Sequence, residues 1–383
     1  MKKILCFLLL FVILIPKVRA EDNLLAQHAK SVILIEESTG EILYEYNAHE
    51  KLAPASMTKM MSLLLIMEAL ENDIIKLDDM IIVSSNASSM GGSQILLETG
   101  EQISVDDLLK GITIASGNDA VVALAEAIGG SEDNFVKMMN DKVKELGLKD
   151  TYFKNSHGLD AENHYSSAYD MAYIAKELVK HEKILEYSSI YETYLRKGTA
   201  KQIWLVNTNK LVRFKSGVDG LKTGYTGDSG YCLTATMKKD GMRVIAVVMG
   251  EPSSTTRNDE VSSLLDYAFA NYRLDKIISK DRVIDTVTLD KSKVDEVEIV
   301  PVEDINIVNK KSDKKETPSF EIKYHNLKSQ MNKGDIVGTL TIIENDKVVD
   351  TVDLTVASDV KKANIFDLFS KYIKNIIAGN ITI

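Results

Sequence analysis

Cysteine is scarce in this 383-residue chain, which contains only Cys6 and Cys232. Cys6 lies in an N-terminal leader that we expect to be removed, and the single thiol that remains cannot form an internal disulfide. The mature fold must therefore be held by its hydrophobic core, even in a compartment that would allow disulfides. Roughly 360 residues are ample for such a core and suggest two domains.

An apolar run long enough to span a bilayer is also missing. Residues 4–15 are apolar without interruption, but a spanning helix needs about 20 residues. Pro16 and a small-x-small sequence at 18–20 follow directly, as signal peptidase requires. We therefore expect residues 1–20 to be a cleaved signal peptide. The mature protein would begin at Glu21 and work outside the cytoplasm; an uncleaved anchor helix is the alternative.

Positive charge is in deficit. The whole chain has 46 Lys and Arg side chains against 56 Asp and Glu. The leader holds four of the basic residues and no acidic one, so the mature chain keeps 42 against 56, a net charge of −14. A charge of this sign disfavours nucleic acid, and no nucleic-acid partner is expected.

The order of the predicted elements indicates an α+β domain over residues 21–275. Alternating apolar residues predict a hairpin at 31–46, and the apolar segment 57–70 predicts a buried helix with Ser56 in its first turn. Further helices are predicted at 104–147, broken near Gly117, at 167–187 and at 258–272, and further strands at 220–224, 231–237 and 243–249. This order favours an antiparallel sheet flanked by helices over alternating βαβ units.

The pattern changes after about residue 275. Short alternating strands are predicted at 283–289, 296–300, 320–324, 336–343 and 347–356. They indicate a small all-β domain over residues 276–360. In the tail, 361–383, one side of a helix would carry Ile365, Phe366, Phe369, Ile373, Ile376 and Ile377. This is typical of an amphipathic helix at a membrane surface; docking of the helix on the β domain is the alternative.

Ser56 and Lys59 form the first candidate for catalysis. Residues i and i+3 share one face of a helix, so the Lys59 amine can lie beside the Ser56 hydroxyl. A serine becomes a useful nucleophile when a base takes its proton, and a lysine acts as a base when burial and a neighbouring cation lower its pKa. The same Ser-x-x-Lys spacing at Ser312 and Ser358 does not precede an apolar helix, so those two are interpreted as chance.

Two further short patterns are weak when taken alone. Ser116-Gly117-Asn118 interrupts a helical stretch, where a hydroxyl and an amide can reach a cleft, but Asn118 would also serve as an ordinary helix cap. The same spacing occurs at 84–86. Lys222-Thr223-Gly224 combines a cation for a substrate carboxylate, a hydroxyl donor and a residue without a side chain at a strand edge. An edge-strand lysine before a turn is the alternative.

In this order the three patterns correspond to the S-x-x-K, S-x-N and K-T-G set of penicillin-binding proteins and class A β-lactamases. With their flanks, A-S-M-T-K-M, A-S-G-N-D-A and G-L-K-T-G-Y-T, residues 24–273 resemble the low-molecular-mass penicillin-binding proteins, the serine-type D-alanyl-D-alanine carboxypeptidases. The resemblance implies a serine β-lactamase/transpeptidase-like sheet with a helical subdomain. The small β domain and the amphipathic tail fit the family's layout as well.

The resemblance also implies roles for the matching residues. Ser56 would be the acylated nucleophile and Lys59 its general base, and Ser116 would relay a proton to the leaving group. Asn118 would line the cleft. The backbone N–H groups of Ser56 and Tyr225 would form the oxyanion hole.

Substrate binding would fall to Lys222 and Thr223, with Gly224 leaving room for the substrate backbone. Arg257 is similar to the family's arginine that pairs with the terminal carboxylate. The chain departs from some members by carrying Tyr225 where they have His, which puts side-chain contacts there in doubt but not the backbone donor.

A metal site is the alternative for the segment that contains His157, Asp160 and His164. Zinc D,D-peptidases use His and Asp ligands, but H-E-x-x-H or a comparably spaced third ligand is not evident here. The carboxypeptidase family has a similar H-G-L-D stretch in a loop beside its cleft. No metal and no other cofactor is therefore expected.

The implied activity is removal of the terminal D-alanine from peptidoglycan stem pentapeptides through a Ser56 acyl-enzyme, with β-lactams as covalent inhibitors. A class A β-lactamase is one alternative, but E-x-x-L-N is not found between Asn118 and Lys222. A non-catalytic cell-wall receptor that is acylated but turns over slowly is the other.

Overall fold

The computed structural model describes residues 25–313, 317–344 and 346–377. The signal peptide expected at 1–20 and the mature start at Glu21 lie outside the described residues. Within that part of the chain, every helix is too short or too polar to cross a membrane.

Helices and strands follow one another in the order that an α+β fold requires. The helices are α1 (Lys59–Glu71), α2 (Ser85–Ser88), α3 (Val105–Ile114), α4 (Asn118–Gly129), α5 (Glu132–Glu145), α6 (Ala168–Lys180), α7 (Lys183–Ser188), α8 (Leu211–Phe214), α9 (Ser254–Asn271) and α10 (Ile365–Ile377). The strands are β1 (Ser31–Glu36), β2 (Ile42–Tyr46), β3 (Met80–Ile82), β4 (Gln102–Ser104), β5 (Glu192–Leu195), β6 (Ile203–Val206), β7 (Val218–Thr226), β8 (Gly230–Lys239), β9 (Met242–Glu251), β10 (Tyr272–Ile278), β11 (Asp285–Thr288), β12 (Glu296–Pro301), β13 (Ile305–Lys310), β14 (Ser319–Tyr324), β15 (Gly338–Glu344) and β16 (Lys347–Val356).

The main sheet is antiparallel, with the strand order β2-β1-β9-β8-β7. The side chains of its central strand β9 alternate between two cores: Ile245, Val247 and Met249 face the helical region, and Val244, Ala246 and Val248 face α9. Both faces of β9 are covered, which explains why its sequence is apolar without alternation. The predicted flanked antiparallel sheet is confirmed.

The turn between β8 and β9 has the conformation that its sequence predicts. Asp240 and Gly241 are its two loop residues, with φ angles of 51° and 82°. Two successive positive φ angles define the type I′ turn, which matches the twist of a two-residue hairpin. The strands predicted at 231–237 and 243–249 are therefore joined as a hairpin.

Two helix predictions need correction. Ser56 lies in a 3-10 turn (Ala55–Thr58) that precedes α1, and not in the first α-helical turn. The single helix predicted at 167–187 is two helices, because the backbone turns away at His181, where ψ is 79°. The His181 ring lies 2.7 Å from a carboxylate oxygen of Glu71, at the end of α1.

A second five-stranded antiparallel sheet follows, in the order β11-β12-β16-β15-β14. The strand that leads to it, β10, begins directly after α9 and pairs with β13; neither of these two strands was predicted. Leu274 of β10 packs against the core between the main sheet and α9, whereas Ile277 and Ile278 pack in the core of the second sheet. The expected domain boundary at 275/276 therefore falls within β10.

Candidate active site

The backbone around Ser56 packs closely against two glycines, Gly158 and Gly224. A Cβ atom added at Gly158 would lie 1.9 Å from the carbonyl oxygen of Ala55, and one at Gly224 would lie 2.9 Å from that of Pro54. Gly158 also has a φ of +91°, which side chains disfavour. Backbone from the loop around Gly158 and from β7 can thus approach the 3-10 turn closely, and both contribute to the site.

Lys59 is the first residue of α1 and is fully buried, whereas Ser56 is half-buried. The Lys59 Nζ atom has three oxygen neighbours, which are Ser56 Oγ at 2.9 Å, Asn118 Oδ1 at 2.6 Å and the His157 carbonyl at 2.7 Å. A neutral amine has two hydrogens and one lone pair. The amide and peptide oxygens can only accept, so they take both hydrogens and leave the lone pair for the serine hydroxyl.

The electrostatic surroundings favour this neutral amine. Burial lowers the pKa of Lys59 well below its usual value, and the nearby charge of Lys222 lowers the pKa further. Asp119 opposes the shift but is the weakest of the three influences. With both geometry and pKa in its favour, Lys59 can accept the Ser56 proton.

The pKa of Lys222 is also lowered, to about 7, by burial and then by the charge of Arg257. The positive charge that the sequence predicts at Lys222 is therefore present only below about this pH unless an anion lies nearby. Lys222 Nζ donates to the Thr223 carbonyl at 3.0 Å. A carboxylate bound nearby would favour the charged form of Lys222.

Ser116 and Asn118 lie where α3 ends and α4 begins. Ser116 has a φ of 64°, and its buried Oγ has no hydrogen-bond partner in the described part of the chain. The Asn118 amide spans the site, since Nδ2 donates to the Gly91 carbonyl at 2.7 Å while Oδ1 binds Lys59. Because Gly117 is the N-cap of α4, the interpretation of Asn118 as a cap is wrong.

The residues after Lys222 lie along β7, an edge strand of the main sheet. Thr223 is buried, and its hydroxyl donates to Thr208 Oγ1 at 2.8 Å. A Cβ atom at Gly224 would lie 3.3 Å from the backbone nitrogen of Ser56, so β7 runs directly beside Ser56. The Tyr225 side chain is exposed and packs against Tyr231, with ring centroids 4.3 Å apart and the rings tilted by 32°.

Arg257 lies in the first turns of α9 and is buried. Its guanidinium donates to Asn258 Oδ1 at 2.9 Å through Nη2, and its charge lowers the pKa of Lys222. Arg257 therefore belongs to the same electrostatic site, on the sheet side of the cleft.

The other segments with the Ser-x-x-Lys or Ser-x-Asn spacing do not take part in this site. The Ser84 hydroxyl accepts from Ala87 N at 2.9 Å as the N-cap of α2. Ser312 and Ser358 are not buried, and the Ser312 hydroxyl bonds the adjacent Asp313. Their structural roles are local.

The two histidines of the suspected zinc segment use their ring nitrogens within the protein. His164 Nδ1 accepts from Lys154 N at 2.9 Å and its Nε2 lies 2.8 Å from Thr58 Oγ1, while His157 Nδ1 accepts from Leu159 N at 3.1 Å. Across the described ranges, groups of three or more His, Cys, Asp or Glu side chains suited to a metal ion are not found.

Three contributors to the site were not identified from the sequence. They are the His157 carbonyl, which binds Lys59, the Thr208 hydroxyl, which binds Thr223, and Asp119. The Asp119 carboxylate accepts hydrogen bonds from backbone N–H groups of the loop beside Asn118. A peptide carbonyl has no sequence signal, and Thr208 meets Thr223 only through the fold. Of the three, only Asp119 could have been suspected from the sequence, because it directly follows Ser116-Gly117-Asn118.

Two family models match this chain. The model described as D-alanyl-D-alanine carboxypeptidase matches residues 17–253, and the C-terminal domain of penicillin-binding protein 5 matches residues 272–362. Fold and site thus define a penicillin-binding serine peptidase. More narrowly, the chain belongs to the D-alanyl-D-alanine carboxypeptidase family and is an enzyme of that class.

Relatives and solved structures agree with this family. D-alanyl-D-alanine carboxypeptidase DacF of Bacillus subtilis is 50% identical over 340 residues, which cover 88% of this chain and 87% of the relative. Penicillin-binding protein 5 from Haemophilus influenzae is 33% identical, with a TM-score of 0.73, and the match covers 87% of this chain and 98% of that one. Ampicillin-bound penicillin-binding protein D2 from Listeria monocytogenes is 30% identical, with a TM-score of 0.57, over 63% of this chain and 97% of that one.

Proposed function

We propose that Ser56 is the acylated nucleophile of this carboxypeptidase and Lys59 its general base. The contact that carries this proposal is Lys59 Nζ to Ser56 Oγ at 2.9 Å, made while two acceptor-only oxygens take the amine's hydrogens. Ser56 then attacks the carbonyl between the last two D-alanine residues of a peptidoglycan stem pentapeptide. The bond from Ser56 Oγ to that carbon forms first and gives a tetrahedral oxyanion; the C–N bond then breaks, and the terminal D-alanine leaves with a proton on its amine.

The remaining roles follow from position. The backbone N–H groups of Ser56 and Tyr225 hold the oxyanion. A Cβ atom added at Gly224 would lie 3.3 Å from the Ser56 nitrogen, so the strand that carries Tyr225 runs close to Ser56. The Ser116 hydroxyl, which has no hydrogen-bond partner among the described residues, passes the proton from Lys59 to the leaving amine. Water, activated by the same lysine, releases the shortened peptide.

Recognition of the terminal carboxylate falls to Lys222, Thr223 and Arg257. Two cations and a hydroxyl on the sheet side of the cleft match a carboxylate in charge and in hydrogen-bonding capacity. A β-lactam presents a comparable amide and carboxylate, so it acylates Ser56 and blocks the site.

Labelling with a fluorescent penicillin, followed by mass mapping, tests this assignment. We expect the label on Ser56 alone, and we expect Ser56→Ala to lose both labelling and release of D-alanine. Ser312→Ala and Ser358→Ala, which remove the other two Ser-x-x-Lys serines, are the matched controls and should retain both. A label on another residue, or D-alanine release by Ser56→Ala, would refute the assignment.

Turnover separates the carboxypeptidase from a receptor that is only acylated. The neutral-amine geometry at Lys59 supports turnover, because the same base is available for deacylation. Multiple turnovers on a peptide ending in D-alanyl-D-alanine are therefore expected. A single burst of D-alanine equal to the enzyme concentration would favour the receptor.

The placement of the enzyme is a second part of the proposal. Residues 1–20 direct export and are removed, residues 21–275 form the catalytic domain, and residues 276–360 form the β domain. The substrate lies outside the cytoplasm, which fits this arrangement. N-terminal sequencing of the protein recovered from cells should begin at Glu21; an N-terminus at Met1 would refute cleavage.

The tail, residues 361–383, provides the membrane contact in this proposal. On α10, Phe366 is 79% exposed and Phe369 is 65% exposed, whereas Lys371 forms an ion pair with Asp295 of the β domain. The polar side of the helix is thus held and the apolar side is left open, as interfacial binding requires.

Charged substitutions on this apolar side test the membrane contact. Phe366→Glu with Phe369→Glu should release the protein from lipid vesicles in a flotation assay. Phe320→Glu, on an exposed strand of the β domain, is the matched control and should remain bound. Flotation of the double variant with the vesicles would refute the membrane role of α10.

A further inference from the structure

One wall beside the cleft is basic in a protein that is acidic overall. Residues 193–218 contain six Lys or Arg residues and no Asp or Glu, whereas the whole chain has a net charge of −10. This segment forms most of the β5–β6 hairpin, the connection after it, and α8. Such a local reversal of charge marks a surface that attracts anions.

Most of these cations are already neutralised or lie far along the hairpin. Three of them form ion pairs with carboxylates from other segments, namely Arg196 with Glu101, Lys201 with Glu98 and Lys215 with Asp266. Lys197 lies exposed at the hairpin tip. Lys210 and Arg213 remain.

Lys210 and Arg213 converge on one aromatic ring. Lys210 Nζ lies 5.4 Å and Arg213 Cζ lies 5.5 Å from the centroid of the Tyr191 ring. Neither cation has a carboxylate partner within the described ranges, although two like charges beside one ring repel one another. An anion bound near both would reduce that repulsion.

The cluster of Lys210, Arg213 and Tyr191 is tied to the catalytic strand. The Tyr191 carbonyl accepts from Asn207 N at 2.7 Å, and the next residue, Thr208, bonds the Thr223 hydroxyl at 2.8 Å. Lys210 follows Thr208 by two residues, so their Cα atoms lie at most about 7 Å apart. An extended peptide in the cleft can therefore reach the cluster.

We propose that Lys210 and Arg213, on the Tyr191 ring, form a subsite for a second carboxylate of the substrate. This inference rests on the proposed function, in which Lys222 and Arg257 hold the terminal carboxylate. The ligand is an acidic stem peptide, which carries a side carboxylate besides its C-terminus. The subsite thus gives the enzyme a preference for stem peptides whose side carboxylate is free over those in which it is amidated.

Two pentapeptides ending in D-alanyl-D-alanine test the subsite. They differ only in carrying a free carboxylate or a carboxamide on the second residue. The unmodified enzyme should have a kcat/KM about five- to tenfold higher on the acid, a size typical of one or two partly exposed charge pairs. Lys210→Gln with Arg213→Gln should lower kcat/KM on the acid to the value for the amide, and should leave the amide unchanged.

The control is Lys201→Gln with Lys215→Gln, which also removes two charges from the basic segment, but charges that are already paired. It should keep the preference for the acid. Equal kcat/KM values on the two peptides in the unmodified enzyme, or an equal loss on both in the Lys210/Arg213 variant, would overturn the subsite.

Binding of the same peptides to Ser56→Ala protein, measured by calorimetry, separates the subsite from the catalytic proposal. The acid should bind about five- to tenfold more tightly than the amide, and the Lys210→Gln/Arg213→Gln change should abolish this difference. Equal affinities would overturn the subsite even if turnover were normal. Failure of the catalytic proposal would instead appear as penicillin labelling away from Ser56.

Discussion

At the scale of single residues, the site depends on two lysines that have little water around them. Burial lowers the pKa of both lysines. A neighbouring positive charge lowers each pKa further, and that charge is Lys222 in the case of Lys59 and Arg257 in the case of Lys222. The charges therefore act in a series that leads from Arg257 through Lys222 to Lys59. A carboxylate bound beside Arg257 and Lys222 would favour the charged form of Lys222, and that charge in turn favours the neutral form of Lys59.

The pH profile of kcat/KM should reflect this series. It should rise as Lys59 loses its proton and fall as Lys222 loses its charge, near its pKa of about 7. Arg257→Gln removes a charge that lowers the pKa of Lys222, so the falling limb should move to higher pH. The loss of a carboxylate partner should also lower kcat/KM by about 10- to 100-fold.

Arg273→Gln is the control for this prediction, since Arg273 pairs with Asp275 in β10 and takes no part in the site. Its profile should match that of the unmodified enzyme. A falling limb that stays in place, or moves to lower pH, in Arg257→Gln would show that the two charges do not interact.

Glu251 is a second buried group with an unusual charge state. It is 1% exposed, and neither carboxyl oxygen has a hydrogen-bond donor among the described residues. Burial, and then the neighbouring carboxylate of Glu260, raise the pKa of Glu251 to about 9. At neutral pH its side chain is thus protonated in the folded protein and ionised in the unfolded chain.

This difference predicts a pH-dependent effect of Glu251→Gln on stability. The raised pKa means that the folded protein holds the Glu251 proton more tightly than the unfolded chain does. The free energy of unfolding therefore has its full contribution from this proton below pH 4.5, and this contribution is lost as the pH rises towards 9. The glutamine variant avoids that loss, so at pH 8 its free energy of unfolding should exceed that of the unmodified protein by ~1–3 kcal/mol. Denaturant unfolding should show little difference at pH 4, and an equal difference at both pH values would contradict the assignment.

At the scale of elements, Ser56 is positioned by contacts between a turn, a loop and a strand. The turn at Ala55–Thr58 leaves no room for a side chain at Gly158, and the carbonyl of His157 in the same loop binds Lys59. The loop thus sets both the turn and the direction of the amine. A change in the loop should reach the chemistry without touching Ser56.

Gly158→Ala tests this coupling against Gly147→Ala. Both glycines have positive φ angles, of 91° and 69°. A Cβ atom would meet backbone 1.9 Å away at Gly158, whereas at Gly147 it would have no described atom within 4 Å. Gly147→Ala should cost only about 1–2 kcal/mol of stability and leave penicillin acylation unchanged. Gly158→Ala should slow acylation by about 100-fold or more, a size expected when catalytic groups are displaced by about 1 Å.

Thermal unfolding distinguishes a direct effect of Gly158→Ala on acylation from a loss of folding. A Gly158→Ala protein that unfolds with a normal midpoint and is acylated at the normal rate would contradict the coupling. Loss of acylation in a protein that still unfolds cooperatively would support it.

Elements with strong local signals were predictable from the sequence. The Asp240-Gly241 turn follows from two residues that tolerate positive φ, and the continuous apolar run of β9 indicates a strand covered on both faces. The strands β10 and β13 were missed, because each is stabilised by pairing with a segment about 30 residues away and each has a mixed polar and apolar sequence. Likewise, the motif residues of the site were predictable, whereas the His157 carbonyl was not.

At the scale of the whole molecule, β10 joins two cores. It follows α9 without an intervening residue, contributes Leu274 to the core under the main sheet, and contributes Ile277 and Ile278 to the core of the second sheet. The connection is therefore a paired strand and not a linker, and the two halves of the molecule should unfold together.

Inserting Gly-Ser-Gly-Ser between Asn271 and Tyr272 tests this connection. The site residues all precede the insertion, so penicillin acylation should stay within about twofold of the unmodified rate. A flexible insertion should weaken the packing of β10 on the first core and divide thermal unfolding, measured by calorimetry, into two transitions. One unchanged transition would show that β10 does not couple the cores.

The same strand would determine how far the enzyme reaches under the proposed membrane contact of α10. An enzyme held at a surface by its last helix, with a paired strand between that helix and its cleft, would work at a height set by folded structure and not by the length of a tether. Only those cell-wall strands that pass at that height meet the cleft, so the chain would trim a thin layer of the wall next to the membrane and leave more distant layers untouched.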